Sequence, residues 1–197
     1  KEYTQIIINE ADRLQNLMNR MLTPHQMPIY KKTNIHEILE RVRSLILSEF
    51  STDISFVRDY DVSLPEFVVD REKLIQAILN IARNGAQAMK QNKQEEMKLS
   101  FVTRAERQIV FRKKKHATAI RIDIIDNGPG IKNELIDKIF FPLVTGNENG
   151  SGLGLSLAQN LIALHQGMID CHSVPGKTIF SIILPIENNL EPTKDKK

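Results

Sequence analysis

The order of its periodic segments constrains the fold of this chain more than any other feature of the sequence. Apolar residues recur every three or four positions, as in amphipathic helices, in residues 1–22, 34–46, 71–91 and 153–165. Short apolar or alternating runs typical of strands occupy residues 54–60, 67–69, 97–103, 119–125, 168–173 and 178–184. Because this order lacks a regular strand–helix–strand repeat, we expect an α+β fold, a sandwich in which helices cover one face of a mostly antiparallel sheet.

Turn and cap residues refine this prediction. Asp70 precedes the helical segment 71–91 and is expected to cap it. The polar, basic residues 104–118 are expected to form a protruding hairpin or loop between two strands. Within the glycine- and asparagine-rich stretch 126–152, only residues 132–140 have a pattern that allows a short helix.

The same patterns divide the chain into four parts. Residues 1–22 predict a helix with a narrow apolar stripe, which suits packing against another helix; docking on the chain's own domain remains the alternative. Residues 23–33 contain two prolines and no helical period, and they predict a linker. The domain itself is expected to span residues 34–186, and the polar residues 187–197 to form a flexible tail.

Composition excludes several classes of function. No apolar run approaches the roughly 18 residues that a membrane span needs, so we expect no membrane insertion. A lone Cys171 cannot form an internal disulfide, which favours a reducing, cytoplasmic compartment. A net charge of +3, with no Trp and three Tyr, disfavours nucleic-acid binding. Because the chain starts with Lys1, we also expect a fragment of a longer protein.

Two glycine-rich turns are the strongest chemical signal. Asp126-Asn127-Gly128-Pro129-Gly130 follows a predicted strand, and residues 150–155 (GSGLGL) open a predicted helix. Glycines let backbone N–H groups approach a phosphate, and a helix N-terminus favours an anion. Neither the G-x-x-x-x-G-K-[ST] motif nor the dinucleotide fingerprint is present. Taken alone, either turn is as consistent with a structural role as with a phosphate site.

Two asparagines add an independent clue. Asn80 and Asn84 lie four residues apart and therefore share one face of the predicted helix 71–91. An amide oxygen on such a helix can complete the oxygen shell of Mg²⁺. Taken alone, two polar residues at a helix edge explain the pattern at least as well.

The combination of these motifs resembles a known family, the histidine kinase branch of the Bergerat-fold ATP-binding superfamily. In the family's order, this sequence contains an N box, a G1 box, an F box and a G2 box: residues 79–89 (LNIARNGAQAM), 126–131 (DNGPGI), 139–142 (IFFP) and 150–155 (GSGLGL). The segments EYTQIIINEADRL, VRDYDVSLPE and FFPLVTGNENGSGLGLSLAQNLI are similar to nitrogen-regulation sensor kinases of the NtrB type. This second resemblance covers nearly the whole chain.

The resemblance implies a set of contacts to the adenine base of ATP. Asp126 is expected to accept a hydrogen bond from the adenine amino group. Gly128 and Gly130 would allow the chain to pass close to the base and sugar. Thr178 is expected to contact the adenine through a water molecule.

The resemblance also implies a phosphate side to the site. Asn84 would hold Mg²⁺ between the ATP phosphates, and Asn80 would lie near it. Residues 145–152, beginning with Thr145, would form a lid that Phe140 and Phe141 anchor, although these aromatics suit a core role equally well. The contacts and hinges of the lid region are expected at Gly150, Gly152, Leu153 and Gly154.

The boxes also predict the type of reaction. In the hydrolytic relatives a glutamate activates water at the position that Asn80 occupies here, and an amide cannot act as a general base. This substitution favours phosphoryl transfer to a protein nucleophile over ATP hydrolysis. Residues 1–22 resemble the second helix of the family's dimerisation hairpin, and none of the 5 histidines has the sequence context of the phosphoacceptor. We therefore expect that the acceptor histidine lies outside this chain.

The predicted function is thus the ATP-binding catalytic domain of a sensor histidine kinase that passes phosphate on to an NtrC-type response regulator. The resemblance implies ATP and Mg²⁺ as cofactors, the PII signal protein as a regulator, and a homodimer for the intact kinase. Two alternatives remain: a Bergerat-fold ATPase with a lid-driven conformational cycle, and a non-catalytic module that only binds partners.

Overall fold

The structure of the chain is a computed structural model that describes residues 27–50, 54–111, 114–145, 151–186 and 193, without the side chains of residues 111, 114 and 115. The predicted helix 1–22, nearly all of the predicted tail, and Gly150 with residues 146–149 of the predicted lid lie outside the described residues. The predictions made for them therefore stay predictions.

The described part contains a five-stranded sheet and a separate two-stranded one. The larger sheet has the order β2-β4-β5-β7-β6, formed by Ile54–Asp59, Met97–Phe111, Lys114–Asp126, Lys177–Pro185 and Met168–Val174. Only the β2–β4 pair of this sheet is parallel; the other three pairs are antiparallel. The smaller sheet pairs β1 (Lys31–Thr33) with β3 (Phe67–Val69).

Three helices pack on one face of the large sheet. They are α1 (Ile35–Phe50), α2 (Arg71–Gln91) and α4 (Gly154–Leu164), and a single turn, α3 (Asn133–Ile136), precedes α4. Alternate strand residues such as Phe101, Ile122 and Phe180 are buried beneath them. The predicted fold class, an α+β sandwich with helices on one face of a mostly antiparallel sheet, is confirmed.

Two segments are more regular than the sequence indicated. Residues 104–118 continue the neighbouring strands, so that β4 and β5 form one long hairpin whose described pairs extend to Phe111 and Lys114. Nearer the N-terminus, residues 31–33, the last three of the predicted linker, form β1 and pair with β3. The short helix allowed within residues 132–140 is limited to α3.

Asp70 joins the start of α2 to the end of α4. Its carboxylate caps α2 by accepting from the Lys73 N–H at 3.0 Å, as predicted, and it also accepts from the Ile29 N–H at 2.9 Å. Its own N–H donates to Nε2 of His165 at 3.0 Å, a side chain with no exposed surface. Since Nε2 accepts, the neutral ring carries its proton on Nδ1, which donates to the Leu161 carbonyl at 2.8 Å.

This buried imidazole should make stability depend on pH. Burial lowers the pKa of His165 below its ordinary value of 6.5. As the pH falls below about 6.5 the unfolded chain takes up this proton while the folded chain does not, so the free energy of unfolding should fall by up to about 1.4 kcal/mol per pH unit. The contribution is fully present above about pH 6.5 and is lost toward the folded-state pKa.

We expect that His165→Leu lowers the free energy of unfolding at neutral pH by roughly 1–3 kcal/mol, because the Asp70 N–H loses its acceptor. The variant should also lose part of the acid slope. Urea denaturation between pH 5 and pH 8 measures both effects, with His172→Leu, exposed on β6, as the matched control. An unchanged acid slope in the His165 variant contradicts the assignment of a neutral buried ring.

Candidate nucleotide site

The polar residues predicted to read a base lie together at one end of the large sheet. Asp126 is the last residue of β5 and is directly opposite Thr178 of β7. Thr178 is in turn directly opposite Ser173 of β6. Asp126 and Thr178 are buried, with 7% and 3% of their surface exposed. Three neighbouring strands thus place a carboxylate and two hydroxyls in one row.

The G1 turn is fixed around the Asp126 carboxylate. The Gly128 N–H donates to Asp126 Oδ1 at 2.9 Å, and the Gly128 carbonyl accepts from the Gly176 N–H at 3.0 Å. At Gly130, φ is +84°, and a Cβ there would lie 2.9 Å from the Val174 carbonyl carbon and oxygen. The turn therefore packs against the β6–β7 hairpin more closely than a side chain would allow.

Burial raises the pKa of Asp126 above its ordinary value, and the hydrogen bond from Gly128 opposes this effect. Only Oδ1 has a described hydrogen-bond donor, the Gly128 N–H. A buried carboxylate with remaining acceptor capacity suits a ligand that brings N–H donors.

Helix α2 approaches this carboxylate through a glycine. A Cβ on Gly85 would lie 2.8 Å from Asp126 Oδ2 and 3.1 Å from its Cγ. Gly85 directly follows Asn84, and Asn80 lies one turn earlier; both asparagines are half-buried. The close approach therefore brings the predicted magnesium-binding helix next to the predicted base-reading carboxylate.

The N-terminus of α4 faces the same helix. A Cβ on Gly154, the first residue of α4, would lie 4.0 Å from the Cβ of Asn80. The N-cap residue of α4, Leu153, has no side chain that can accept from the helix N–H groups, although its carbonyl accepts from the Leu157 N–H at 3.0 Å. The first N–H groups of a helix have no helical acceptors, and they attract anions.

The base of the predicted lid is closed by backbone contacts. The Leu143 N–H donates to the Gly152 carbonyl at 3.0 Å, and both residues have left-handed backbone, with φ of 66° and 65°. A Cβ on Gly152 would lie 2.5 Å from the Leu143 carbonyl carbon. Thr145 is exposed just beyond this closure. Phe140 packs edge-to-face against Phe180 with 6.4 Å between ring centroids, whereas Phe141 is 60% exposed.

The structure thus brings the described candidate residues into two connected groups. Asp126, Gly128, Gly130 and Thr178 form the sheet end, while Asn80, Asn84, Leu153 and Gly154 form the helix side, connected through Gly85. Gly152 lies directly before Leu153, and Gly150 is outside the described residues. Their roles in binding remain predictions.

Three residues of this region had no role predicted from the sequence: Gly85, Ser173 and Leu143. Gly85 left a usable signal, since glycine inside a helix costs about 1 kcal/mol relative to alanine and such a position needs a packing reason. Ser173 and Leu143 left none, because their importance depends on the partners that the fold brings to them.

The donor set limits how a cation could bind. Among the described residues, no group of three or more His, Cys, Asp and Glu is arranged to hold a metal ion. Asn84 offers an amide oxygen at a half-buried position, and Mg²⁺ commonly takes one or two protein oxygens together with phosphate oxygens and water. The residues present therefore fit a magnesium ion that arrives with a phosphate ligand.

In the described part of the chain, no helix is both long and apolar enough to span a membrane.

Comparison with known proteins supplies the family. Residues 69–188 match the sequence pattern of the family described as histidine kinase-, DNA gyrase B-, and HSP90-like ATPase. The chain belongs to this family. The match includes every box that carried the resemblance and confirms the predicted family.

Curated relatives narrow the similarity further. The chain is 48% identical over 185 residues to the sensory histidine kinase/phosphatase NtrB of Vibrio alginolyticus, covering 94% of this chain and 52% of that protein. The NtrB of Salmonella typhimurium is 44% identical with the same coverage. The predicted similarity to NtrB-type kinases is confirmed. The chain spans about half the length of these relatives.

Solved structures support the fold. Histidine kinase ThkA in complex with the response regulator TrrA superposes with a TM-score of 0.68 at 24% identity, covering 94% of this chain and 51% of that chain. Full-length ShkA in complex with AMPPNP gives a TM-score of 0.69 at 21% identity, covering 98% and 40%. These structures share the architecture described above.

The contact between Gly85 and Asp126 yields a direct prediction. Replacing a helical glycine by alanine ordinarily stabilises a protein by up to about 1 kcal/mol. In Gly85→Ala the new methyl group meets the carboxylate, which must rotate away from the Gly128 N–H. We expect that this variant is no more stable than the parent chain and binds ATP more weakly.

Gly154→Ala is the matched control for stability, because its methyl group meets only an ordinary contact with Asn80. Denaturant unfolding of both variants and titration of the Gly85 variant with ATP make the comparison. A gain of about 1 kcal/mol in the free energy of unfolding of Gly85→Ala, with unchanged ATP affinity, would contradict the predicted clash between the new methyl group and the Asp126 carboxylate.

Proposed function

We propose that this chain is the ATP-binding catalytic part of a sensor histidine kinase of the nitrogen-regulation type. It transfers the γ-phosphate of ATP to a histidine outside the chain, and the phosphate passes from there to an NtrC-type response regulator. The observation that carries the proposal is the convergence of the buried Asp126 carboxylate, the asparagines of α2 and the N-terminus of α4.

Each part of this arrangement suits one part of ATP. Asp126 accepts from the adenine amino group, and Thr178 lies beside it to contact the neighbouring ring nitrogen through water. Gly128 and Gly130 keep side chains away from the base and sugar. Thr145, Gly150, Gly152, Leu153 and Gly154 surround the phosphates, whose charge the N-terminus of α4 favours.

The phosphate side would also bind a magnesium ion. Asn84 would hold the ion through its amide oxygen, and Asn80 lies one turn away. When bound, Mg²⁺ neutralises charge on the phosphate oxygens. Asn80 and Asn84 position the phosphates, and because an amide cannot take a proton from water, these side chains favour transfer over hydrolysis. In the transfer the bond between the γ-phosphorus and the bridging oxygen breaks, a phosphorus–nitrogen bond to imidazole forms, and ADP leaves.

The names of the relatives support the proposed partners. The structural relative ThkA was solved with a response regulator, and the NtrB proteins are named as kinase and phosphatase. For this chain we propose an NtrC-type regulator as the phosphate acceptor downstream. We also propose the PII signal protein as a regulator and a homodimer for the intact kinase, acting in the cytoplasm.

Transfer in trans tests the proposed function. The chain is mixed with a separately purified helical hairpin from an NtrB-type kinase that carries the acceptor histidine, together with Mg²⁺ and γ-labelled ATP. We expect label on the hairpin and none on the chain. Asn84→Ala should reduce the rate by about 100-fold or more, since the ion loses its protein ligand; Asn92→Ala, exposed at the end of α2, is the matched control.

Two experimental outcomes would contradict the proposed function, and each would support a different one. Steady ATP hydrolysis by the chain alone, without label on the hairpin, supports an ATPase with a conformational cycle. The absence of saturable ATP binding supports a module that only binds partners.

A further inference from the structure

Two hydroxyls and one backbone amide form a hydrogen-bonded chain that ends beside Asp126. The Ile131 N–H, at the end of the G1 turn, donates to Ser173 Oγ at 2.9 Å. Ser173 Oγ lies 2.9 Å from Thr178 Oγ1, and either hydroxyl can donate in this pair. Thr178 is directly opposite Asp126 in the sheet. The connection therefore runs from the G1 turn through β6 to β7, next to the carboxylate.

We propose that Ser173 is a positioning residue that makes the Thr178 hydroxyl a hydrogen-bond donor toward the edge of the adenine base. The inference rests on the proposed function, because it assumes that Asp126 and Thr178 face the base. It concerns Ser173, to which neither the motifs nor the family resemblance assigned a role.

The donor-to-acceptor direction of these hydrogen bonds follows from the Ile131 N–H, which stands first in the series. A backbone N–H can only donate, so Ser173 must use a lone pair of its oxygen for Ile131. A hydroxyl that accepts a hydrogen bond becomes a better donor, because hydrogen bonds in a head-to-tail chain polarise one another. The Ser173 proton is therefore favoured toward Thr178 Oγ1, and this leaves the Thr178 proton free to point onward.

This polarity complements one purine edge and opposes another. Asp126 presents an acceptor and Thr178 a donor, which matches the amino group and the N1 acceptor of adenine. Guanine presents an acceptor oxygen and an N1–H donor at the same positions. A water between Thr178 and the base preserves the match, since it accepts from the threonine and donates to N1. Ser173 thus contributes to base specificity without contacting the base.

The experiment must separate this role from a structural one, because Ser173 also holds the G1 turn. We compare ATP with 1-deaza-ATP, in which a carbon replaces the N1 acceptor, by titrating each into the parent chain and into Ser173→Ala. The parent chain should prefer ATP by about 3- to 10-fold, the value of one neutral hydrogen bond. In Ser173→Ala this preference should fall, because the Thr178 hydroxyl keeps its proton but loses the donor that orients and polarises it.

Three companion variants complete the comparison. Thr178→Val removes the terminal hydroxyl with little change of shape and should lose the same preference, which keeps the test valid if Ser173→Ala folds poorly. Ser173→Thr retains a hydroxyl and should restore the preference. Ser181→Ala removes another strand hydroxyl, which donates to Asp123 at 2.8 Å, and should leave the preference unchanged.

The outcomes distinguish the inference from the proposed function. Equal weakening of ATP and 1-deaza-ATP binding by Ser173→Ala overturns the positioning role, since a loosened turn affects both ligands alike. A parent chain that binds both nucleotides equally overturns it as well. Failure of the parent chain to bind ATP at all overturns the proposed function instead.

Discussion

The site depends on one close approach, the contact of Gly85 in α2 with the Asp126 carboxylate at the end of β5. Any side chain at Gly85 would occupy the space of the carboxylate, with a Cβ only 2.8 Å from Oδ2. The absence of that side chain lets a charged group lie buried between helix and sheet, held by the Gly128 N–H. The same contact sets the distance between the Asp126 end of the sheet, which we propose reads the base, and Asn84, the residue before Gly85 on the helix.

A second constraint fixes the position of α4 relative to α2. Buried His165 at the end of α4 is bonded to Asp70 at the start of α2, and Gly154 at the start of α4 lies against Asn80. The stretches between these contacts, residues 70–80 and 154–165, are nearly equal in length, so the two helices run antiparallel side by side. A hydrogen bond far from the site therefore helps to hold the N-terminus of α4 near the asparagines.

Most of the fold could be predicted from periodicity and turn chemistry, and the parts that could not be predicted have physical reasons. Asp70 and helix 71–91 were predicted from the cap residue and the apolar face, and both are confirmed. The long β4–β5 hairpin was left open because residues 104–118 lack an apolar alternation, since the strands protrude beyond the core. Sequence motifs likewise located the boxes, but only the fold shows that Gly85 of the N box approaches Asp126 of the G1 box and that Ser173 is bonded to Ile131 at its end.

Amide chemical-shift mapping of the isotope-labelled chain during titration with Mg²⁺ and a non-hydrolysable ATP analogue tests most directly whether these elements form one nucleotide site. We predict saturable binding with the largest shifts at Gly128, Asn84 and Gly154, which belong to three different elements. Saturable binding with the largest shifts confined to the protruding β4–β5 hairpin, and none at these three residues, would contradict this prediction.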